Sequence, residues 1–254
     1  MMRRLATLAL AGAVLIAPAA RAAEGEIHIA RQDWSFGGLF GTFDRAAAQR
    51  GYKVFHEVCS NCHSAHLLSF RNLADLGLSD AQVRALAAQV EVTDGPNDEG
   101  EMFQRPGRPS DRFPKRFPND QAARAANNGA LPPDLSLIIK AREGGADYVY
   151  ALLTGYTDPP PGVQVMEGMN YNAAFPGHQI GMARPLNDDQ VEYTDGTPTN
   201  TAQLAHDVVT FLAWAAEPEM EVRKAMGVKI ILFLLVMTGL TYAVKRKVWA
   251  DVHH

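Results

Sequence analysis

Four segments of the chain are predicted to be helical, the first of them because its apolar residues have the spacing of an amphipathic helix. They are residues 42–56, 72–90 and 138–142, and the segment that follows Asn200. Asn200 and Gln203 resemble a capping box, which places the start of the last of these helices. In a small domain with one core, we expect that last helix to pack against the helix of residues 42–56.

The segments between these helices have the composition of loops. Residues 91–101 contain five acidic and no basic side chains, residues 105–118 are rich in proline and arginine, and residues 155–199 hold many Gly, Pro and Asn. Residues 127–135 form a turn-rich ledge. A long loop region in a compact domain needs a reason, and wrapping a cofactor is one. The pattern predicts a mainly α fold with long loops.

The start of the chain has the pattern of a secretory signal peptide. Met1–Arg4 is basic, Leu5–Ile16 is apolar, and Ala20–Ala22 offers a small-residue cleavage site. The alternative is an uncleaved N-terminal anchor, for which the apolar run is short. We therefore expect residues 1–22 to be removed, with the folded part of the chain outside the cytoplasm.

A second apolar run, residues 226–244, has the length of one transmembrane helix. Its single charge, Lys229, lies near its start, where a long side chain can reach the interface. Residues 245–247 are all basic, which predicts a cytoplasmic tail of residues 245–254. The alternative is a buried core helix. We expect an exported domain of residues 23–225 held by one C-terminal anchor.

Composition and charge narrow the class of protein. With 47% hydrophobic and 20% charged residues the chain can bury a core, and its net charge of −4 argues against a nucleic-acid-binding protein. Without the three arginines of residues 1–22 and the net +3 of residues 226–254, residues 23–225 carry about −10. An acidic domain of this kind favours a basic protein partner. The acidic run at 91–101 is either a solvated loop or a docking patch.

The chain has two cysteines, and both lie in Cys59-Ser60-Asn61-Cys62-His63. This is C-x-x-C-H, the attachment motif of c-type haem. Two thiols at this spacing form thioethers to two vinyl groups on one porphyrin edge, and His63 supplies the proximal imidazole. A thioredoxin-like pair would follow a strand, a zinc site would need two more ligands, and a disulfide would leave His63 unexplained.

The residues alone do not identify the sixth ligand of the haem iron. Methionine raises the potential of a haem and suits electron transfer. Met182 lies in a Gly- and Pro-bounded loop far along the chain from Cys59, as a distal ligand requires. The alternatives are Met166 and Met169, in a similar glycine-rich stretch, and the imidazole of His178.

The sequence contains none of the common motifs for catalysis by side chains. There is no Ser-His-Asp order, P-loop or HExxH motif, and the glycine-rich run Gly37–Gly41 fits no phosphate-binding fingerprint. Electron transfer therefore remains the main prediction.

From about Trp34 to Trp249 the chain resembles the cytochrome c1 family, the haem subunits of quinol–cytochrome c reductase (the bc1 complex). The matching stretches are residues 34–36, 58–63, 123–136, 147–150, 153–156, 195–198 and 214–218. The last of these, followed by the anchor, is very specific to the family, whereas C-x-x-C-H marks any c-type cytochrome.

The resemblance implies a class I cytochrome c-like haem domain with long loops, plus one C-terminal transmembrane helix. It implies one covalent haem c on Cys59 and Cys62, with His63 and Met182 as axial ligands. Four residues of the ledge would line the haem: Asn127, Ala130, Pro132 and Pro133. Arg142 and Tyr148 would contact the propionates. Arg184 departs from the family, which usually has proline there, and puts a positive charge near the haem edge.

The resemblance also implies partners. Electrons would pass from a Rieske iron–sulfur protein to this haem and on to a soluble, basic c-type cytochrome, in a dimeric complex that contains cytochrome b. The expected location is a bacterial inner membrane, with the haem domain on the periplasmic side and the C-terminus in the cytoplasm. The alternatives are a stand-alone membrane-anchored cytochrome c that donates to an oxidase or reaction centre, and a haem sensor or peroxidase.

Overall fold

The computed structural model describes Ile27 and residues 29–252. The predicted signal peptide, residues 1–22, lies outside the described residues, as does His28. The α-helices in this part of the chain are α1 Arg45–Glu57, α2 Asp80–Ala87, α3 Asp120–Ala126, α4 Ile138–Ala141, α5 Gly145–Thr154, α6 Thr201–Ala216 and α7 Met220–Val248. The same part of the chain also has three short 3-10 helices, Cys59–Asn61, Phe70–Leu76 and Pro176–His178. Its strands form two antiparallel pairs, β1 Glu91–Asp94 with β2 Phe103–Pro106 and β3 Asn170–Tyr171 with β4 Gln179–Ile180. The predicted mainly α architecture with one long apolar C-terminal helix is confirmed.

The core is built where α1 packs on α6, as predicted. Each helix has a side-chain cap: Asp44 accepts from the Ala47 amide, and Asn200 accepts from the Gln203 amide. The helices approach most closely at Gly51, where an added Cβ would lie 1.9 Å from the carbonyl oxygen of Asp207. Only a residue without a Cβ allows this distance, so Gly51 sets the separation of the two helices.

A buried ion pair crosses the same interface. The Arg50 guanidinium donates to both carboxylate oxygens of Asp207, at 2.8 and 3.1 Å, and to Asp195 at 2.9 Å. Gln203 also donates to Asp207, at 3.0 Å, so its side chain does not close the predicted capping box. Burial alone would raise the pKa of Asp207, but interactions with His206 and Arg50 hold that pKa below its usual range.

Two sequence expectations were wrong in detail. The helix predicted over 72–90 is a 3-10 helix, Phe70–Leu76, followed by α2, because Gly77 adopts a left-handed φ of 91° and ends the first segment. The acidic run 91–101 is not a simple loop, since its first residues form β1. The β1–β2 hairpin pairs Glu91 with Pro106 and Asp94 with Phe103.

The last helix, α7, contains the predicted span of residues 226–244 and extends beyond it at both ends. Its 29 residues correspond to about 44 Å of helix, more than the hydrocarbon core of a bilayer. Its most apolar window has a mean hydropathy of 2.0, and none of that window is buried. A long, apolar and uncovered helix fits a membrane span and does not fit a core helix.

Candidate functional site

The C-x-x-C-H motif forms one tight turn directly after α1. The amides of Cys62 and His63 both donate to the carbonyl oxygen of Cys59, at 3.2 and 2.8 Å. Since one carbonyl accepts both bonds, the backbone folds back within five residues. This turn fixes the positions of the two cysteines and the histidine relative to the end of α1.

The two residues between the cysteines complete the end of α1. Ser60 Oγ donates to the carbonyl of His56 at 2.6 Å, and Asn61 Nδ2 donates to that of Glu57 at 2.9 Å. These carbonyls lie in the last turn of the helix, where no backbone donor serves them. The intervening residues of the motif therefore tie it to the core helix.

The two thiols are separate, with Cys59 half-buried and Cys62 exposed. Burial raises the pKa of the Cys59 thiol to about 12. Redox-active cysteine pairs have the opposite property, a lowered thiol pKa. The local environment does not favour a thioredoxin-like dithiol at this position.

His63 has one ring nitrogen engaged. Its Nδ1 lies 2.8 Å from the carbonyl oxygen of Pro133, so Nδ1 carries the proton and donates it. Burial lowers the pKa of His63, against the opposing effects of the Pro133 bond and of Asp134. The ring is therefore neutral at pH 7, and its Nε2 presents a lone pair. A histidine metal ligand commonly has this arrangement, in which one nitrogen is oriented by a carbonyl.

Four hydrogen bonds join the end of the ledge of residues 127–135, and Ser136 directly after it, to His63 and the segment that follows His63. The bond of His63 to Pro133 is the first, and the Leu135 amide donates to the Ser64 carbonyl at 2.7 Å. The other two run from the amides of His66 and Leu67 to the side chains of Asp134 and Ser136, at 2.8 and 3.0 Å. The last residues of the ledge are thus held beside His63.

The first half of the ledge is a turn at the end of α3. Asn127 Nδ2 donates to the Ala123 carbonyl at 2.7 Å, and the Ala130 amide donates to the Asn127 carbonyl at 3.0 Å. An added Cβ on Gly181 would lie 3.1 Å from Ala130 Cβ. The structure therefore brings the loop that carries Met182 to the ledge that contacts His63, although about fifty positions separate Ala130 from Gly181 in sequence.

Met182 follows β4 and is half-buried. Its carbonyl accepts from the Tyr156 hydroxyl at 3.0 Å and from Asn170 Nδ2 at 3.3 Å. Burial raises the pKa of Tyr156, so its hydroxyl stays protonated and able to donate. Asn170 pairs with Ile180 in the β3–β4 ladder, which fixes the loop on its other side.

The alternative distal ligands lie in different settings. Met166 is 62% exposed. The His178 ring is engaged by the Asn172 carbonyl at 3.3 Å and lies against Tyr171, with 5.7 Å between ring centroids. Met169 is half-buried, and its Sδ lies 3.8 Å from the position a Cβ on Gly181 would take. The surroundings thus distinguish Met182 and Met169 from the other two.

The two predicted propionate contacts lie near each other. Burial raises the pKa of Tyr148, and the positive charge of Arg142 partly offsets that rise. Arg142 is exposed, and its Nη1 donates to the Ala141 carbonyl at 3.2 Å.

Arg184, beside the Met182 loop, is also exposed, and its Nε donates to the Leu186 carbonyl at 3.1 Å. The guanidinium of Arg184 therefore supports its own loop.

Sequence reasoning missed three residues that support the site. Asp134 accepts from the amides of both His66 and Ser136 at 2.8 Å, and it binds the ledge to the motif segment. The spacing Asp-x-Ser is a signal for this kind of local turn. Tyr156 and Asn170 hold the Met182 carbonyl, and no local pattern predicts a contact over those separations.

The five acidic residues of the β1–β2 hairpin lie in three settings. Asp94 pairs with Arg105, which also donates to Asp111 at 2.6 and 3.0 Å. These contacts hold the pKa of both aspartates below the usual range. Asp98, Glu99 and Glu101 lie exposed in the turn between the strands. Glu91 is also exposed, at the base of the hairpin, so most of the exposed negative charge, but not all of it, lies at the tip.

Known proteins resemble the chain over nearly its whole length. The sequence model of the Cytochrome C1 family matches residues 34–252. Cytochrome c1 of Rhodospirillum rubrum is 48% identical over 264 residues, which cover 97% of each chain. The mitochondrial cytochrome c1 haem protein of Schizosaccharomyces pombe is 51% identical over 229 residues, 90% of this chain and 75% of that one.

A further relative is longer. The protein named cytochrome b/c1 in Bradyrhizobium diazoefficiens is 52% identical over 256 residues, 92% of this chain. The present chain spans only 37% of that relative's length.

Proposed function

Because the chain belongs to the cytochrome c1 family, we propose that it is the c-type haem subunit of a quinol–cytochrome c reductase and transfers single electrons. One contact carries the proposal. The Nδ1 of His63 donates to the Pro133 carbonyl, so the neutral ring keeps a free lone pair on Nε2 within the C-x-x-C-H turn. A bound haem supplies one-electron redox chemistry to such a site.

The residues present fit this group by their chemistry. We propose that Cys59 and Cys62 attach it through thioethers, since one turn holds both cysteines and His63 and both thiols are free. His63 would be the proximal ligand. Asn127, Ala130, Pro132 and Pro133 would line the group, since the ledge is bonded to the motif segment.

For the sixth ligand we propose Met182. Its loop contacts the ledge through Gly181 and Ala130, and its carbonyl is held by Tyr156 and Asn170. A thioether ligand would keep the potential of the haem high enough to accept electrons from a Rieske centre. Arg142 and Tyr148 are proposed propionate contacts, because a guanidinium and a phenol both donate hydrogen bonds to carboxylates.

The partners of the chain are proposed from its family, and its location is proposed from its membrane anchor. We propose that cytochrome b and a Rieske iron–sulfur protein share its complex, which is a dimer, and that a basic soluble c-type cytochrome accepts the electron. The haem domain would lie on the periplasmic side of a bacterial inner membrane, because residues 245–247 are basic and stay in the cytoplasm. The stand-alone anchored cytochrome is not favoured, since the R. rubrum relative matches 97% of both chains.

The first experiment is a mild-detergent purification of the chain from native membranes, followed by its reduced spectrum and an assay of quinol-driven reduction of soluble cytochrome c. Copurification of b-type haem and a Rieske protein with that activity is the expected result. If only c-type haem is found, quinol gives no reduction, and an intact reductase without this chain is recovered from the same membranes, the chain is a stand-alone carrier.

Covalent attachment has its own test. Haem should stay with the unaltered chain in acidified acetone. The same solvent should remove haem from the double variant Cys59→Ala and Cys62→Ala, which has no thiol to form a thioether. Ser60→Ala is the matched control, since it removes only the bond to His56 within the same turn. Haem lost from the unaltered chain by the solvent would contradict the thioethers.

A further inference from the structure

Residues 35–42 form a small closed loop just before α1. The Thr42 amide donates to the Ser35 carbonyl at 3.0 Å, and the Gly37 amide donates to the Trp34 carbonyl at 2.8 Å. The loop is too tight for a side chain at Gly41, where a Cβ would lie 1.9 Å from the Gly37 carbonyl oxygen. Gly38 has a φ of 64°, which favours glycine. The glycine-rich run therefore builds a compact loop, and no phosphate fingerprint is needed to explain it.

The tip of this loop displays two large apolar side chains. Leu39 is 60% exposed and Phe40 is 80% exposed. Phe40 is thus more exposed than Leu235 in the middle of α7, which is 65% exposed. Adjacent apolar side chains held outward by a rigid loop indicate a surface that is covered in the working protein.

Two sets of contacts fasten the loop to the start of α7. Lys224 Nζ donates to the carbonyl oxygens of Phe36 and Gly41, at 2.8 and 3.0 Å. Glu221 accepts from the Phe43 amide at 2.7 Å and from Arg45 at 2.8 and 3.0 Å. One lysine thus holds both sides of the loop, and the glutamate holds the chain that leaves it.

These contacts fix the level of the loop along α7. The apolar run of the helix begins at Met226, two residues after Lys224, which is about 3 Å along the axis. A lysine at this place marks the boundary between headgroups and hydrocarbon. The loop that Lys224 holds is therefore continuous with the place where the anchor enters the membrane.

We propose that Leu39 and Phe40 insert into the headgroup–acyl boundary of the bilayer, as a second membrane contact of the domain beside α7. The fastening to Lys224 favours lipid over a protein partner, because it sets the apolar tip at the level of the membrane surface whatever else binds. With two contacts the domain is held at one tilt, whereas a single helix would let it swing. This inference rests on α7 as a membrane span and is independent of the redox chemistry.

The test is site-directed spin labelling of the full chain in phospholipid nanodiscs. Nitroxides are placed by Leu39→Cys, Phe40→Cys and, as a control of matched exposure, Met102→Cys, which is 61% exposed at the hairpin. The unaltered chain is the blank. If it takes up label at Cys59 or Cys62, the haem attachment has failed, and that result is separate from the loop measurement.

Accessibility is compared between oxygen, which partitions into lipid, and a water-soluble nickel chelate. We expect the ratio of oxygen to nickel relaxation at positions 39 and 40 to exceed that at position 102 severalfold, with unchanged haem spectra. Equal ratios at all three positions would overturn the proposal. A second result would also overturn the proposal. In it, nickel reaches the labels at positions 39 and 40 in the chain alone, but neither nickel nor oxygen reaches them in the complete complex, because a partner subunit covers the loop.

Discussion

His63 Nδ1 and the Pro133 carbonyl oxygen lie 2.8 Å apart although seventy positions separate the residues in sequence. The bond selects the tautomer that leaves Nε2 free, and it ties the motif to the ledge. The same ledge contacts the Met182 loop through Ala130 and Gly181. One short segment therefore positions both proposed axial ligands, so that an error in its placement would affect both.

The assignment of Met182 predicts a change in redox potential. Met182→Leu removes the thioether and should lower the potential on the order of tenths of a volt, because the axial ligand dominates the potential of a haem. Potentiometric titration of the purified chain measures it. Met166→Leu and Met169→Leu are controls that should leave the potential in place. An unchanged potential in Met182→Leu would point to Met166, Met169 or His178 instead.

The approach of α1 and α6 predicts that Gly51→Ala destabilises the domain. Alanine is the better helix former by about 0.5–1 kcal/mol. Here its Cβ would meet the Asp207 carbonyl at 1.9 Å and Phe211 Cβ at 2.8 Å, so the helices must separate. Overpacking of this kind costs about 1–3 kcal/mol, which should appear as a lower Tm. Gly227→Ala in α7, where a Cβ meets nothing within 4 Å, is the helical control. An equal or higher Tm for Gly51→Ala would contradict the close approach.

The Arg50–Asp207 pair predicts a stability that depends on pH. The Asp207 side chain is fully buried and that of Arg50 is 16% exposed, so Arg50→Met leaves a buried carboxylate unpaired and should cost about 3–5 kcal/mol at pH 7. Because the pKa of Asp207 is lowered in the folded state, its contribution is present above the unfolded pKa of about 4 and is lost as the pH falls further.

Denaturant unfolding of both proteins between pH 3 and pH 7 would measure this difference. The deficit of Arg50→Met should be largest at pH 7 and should shrink as the pH falls toward 3, because the buried Asp207 without its arginine takes up a proton before Asp207 of the unaltered protein does. Lys53→Met, in an exposed pair with Glu57 at 3.8 Å, should cost about 1 kcal/mol or less. A deficit independent of pH would mean that packing of the arginine stem, and not its charge, supplies the stability.

The tip of the β1–β2 hairpin predicts a salt-dependent rate with a basic electron acceptor. Asp98→Asn, Glu99→Gln and Glu101→Gln together remove three exposed charges and should slow the reduction of a basic cytochrome c severalfold at low ionic strength. The difference from the unaltered chain should disappear as added salt screens the field. Stopped-flow measurements at several salt concentrations test this.

Asp75→Asn, Asp120→Asn and Asp158→Asn together remove the same number of exposed acidic charges elsewhere on the domain. These variants should retain more of the rate than the hairpin variants. If both sets slow the reaction equally, the overall charge of the domain attracts the acceptor and the hairpin is not a docking patch.

Local patterns in the sequence were sufficient for much of the fold. The spacing of apolar residues placed α1 and α6, and the long apolar run placed α7, because helical periodicity and length are read within one segment. The C-x-x-C-H motif is local for the same reason. Where the prediction failed, at residues 72–90, a single glycine with positive φ outweighed the periodicity.

The rest was decided by contacts between distant parts of the chain. Nothing near Tyr156 indicates that its hydroxyl holds the Met182 carbonyl, and nothing near Lys224 indicates that its ammonium group holds the 35–42 loop. Such hydrogen bonds depend on where the packed helices bring each backbone carbonyl, and that position is a property of the whole fold. The sequence alone determined the chemical groups and the main helices, and the tertiary structure determined which groups meet.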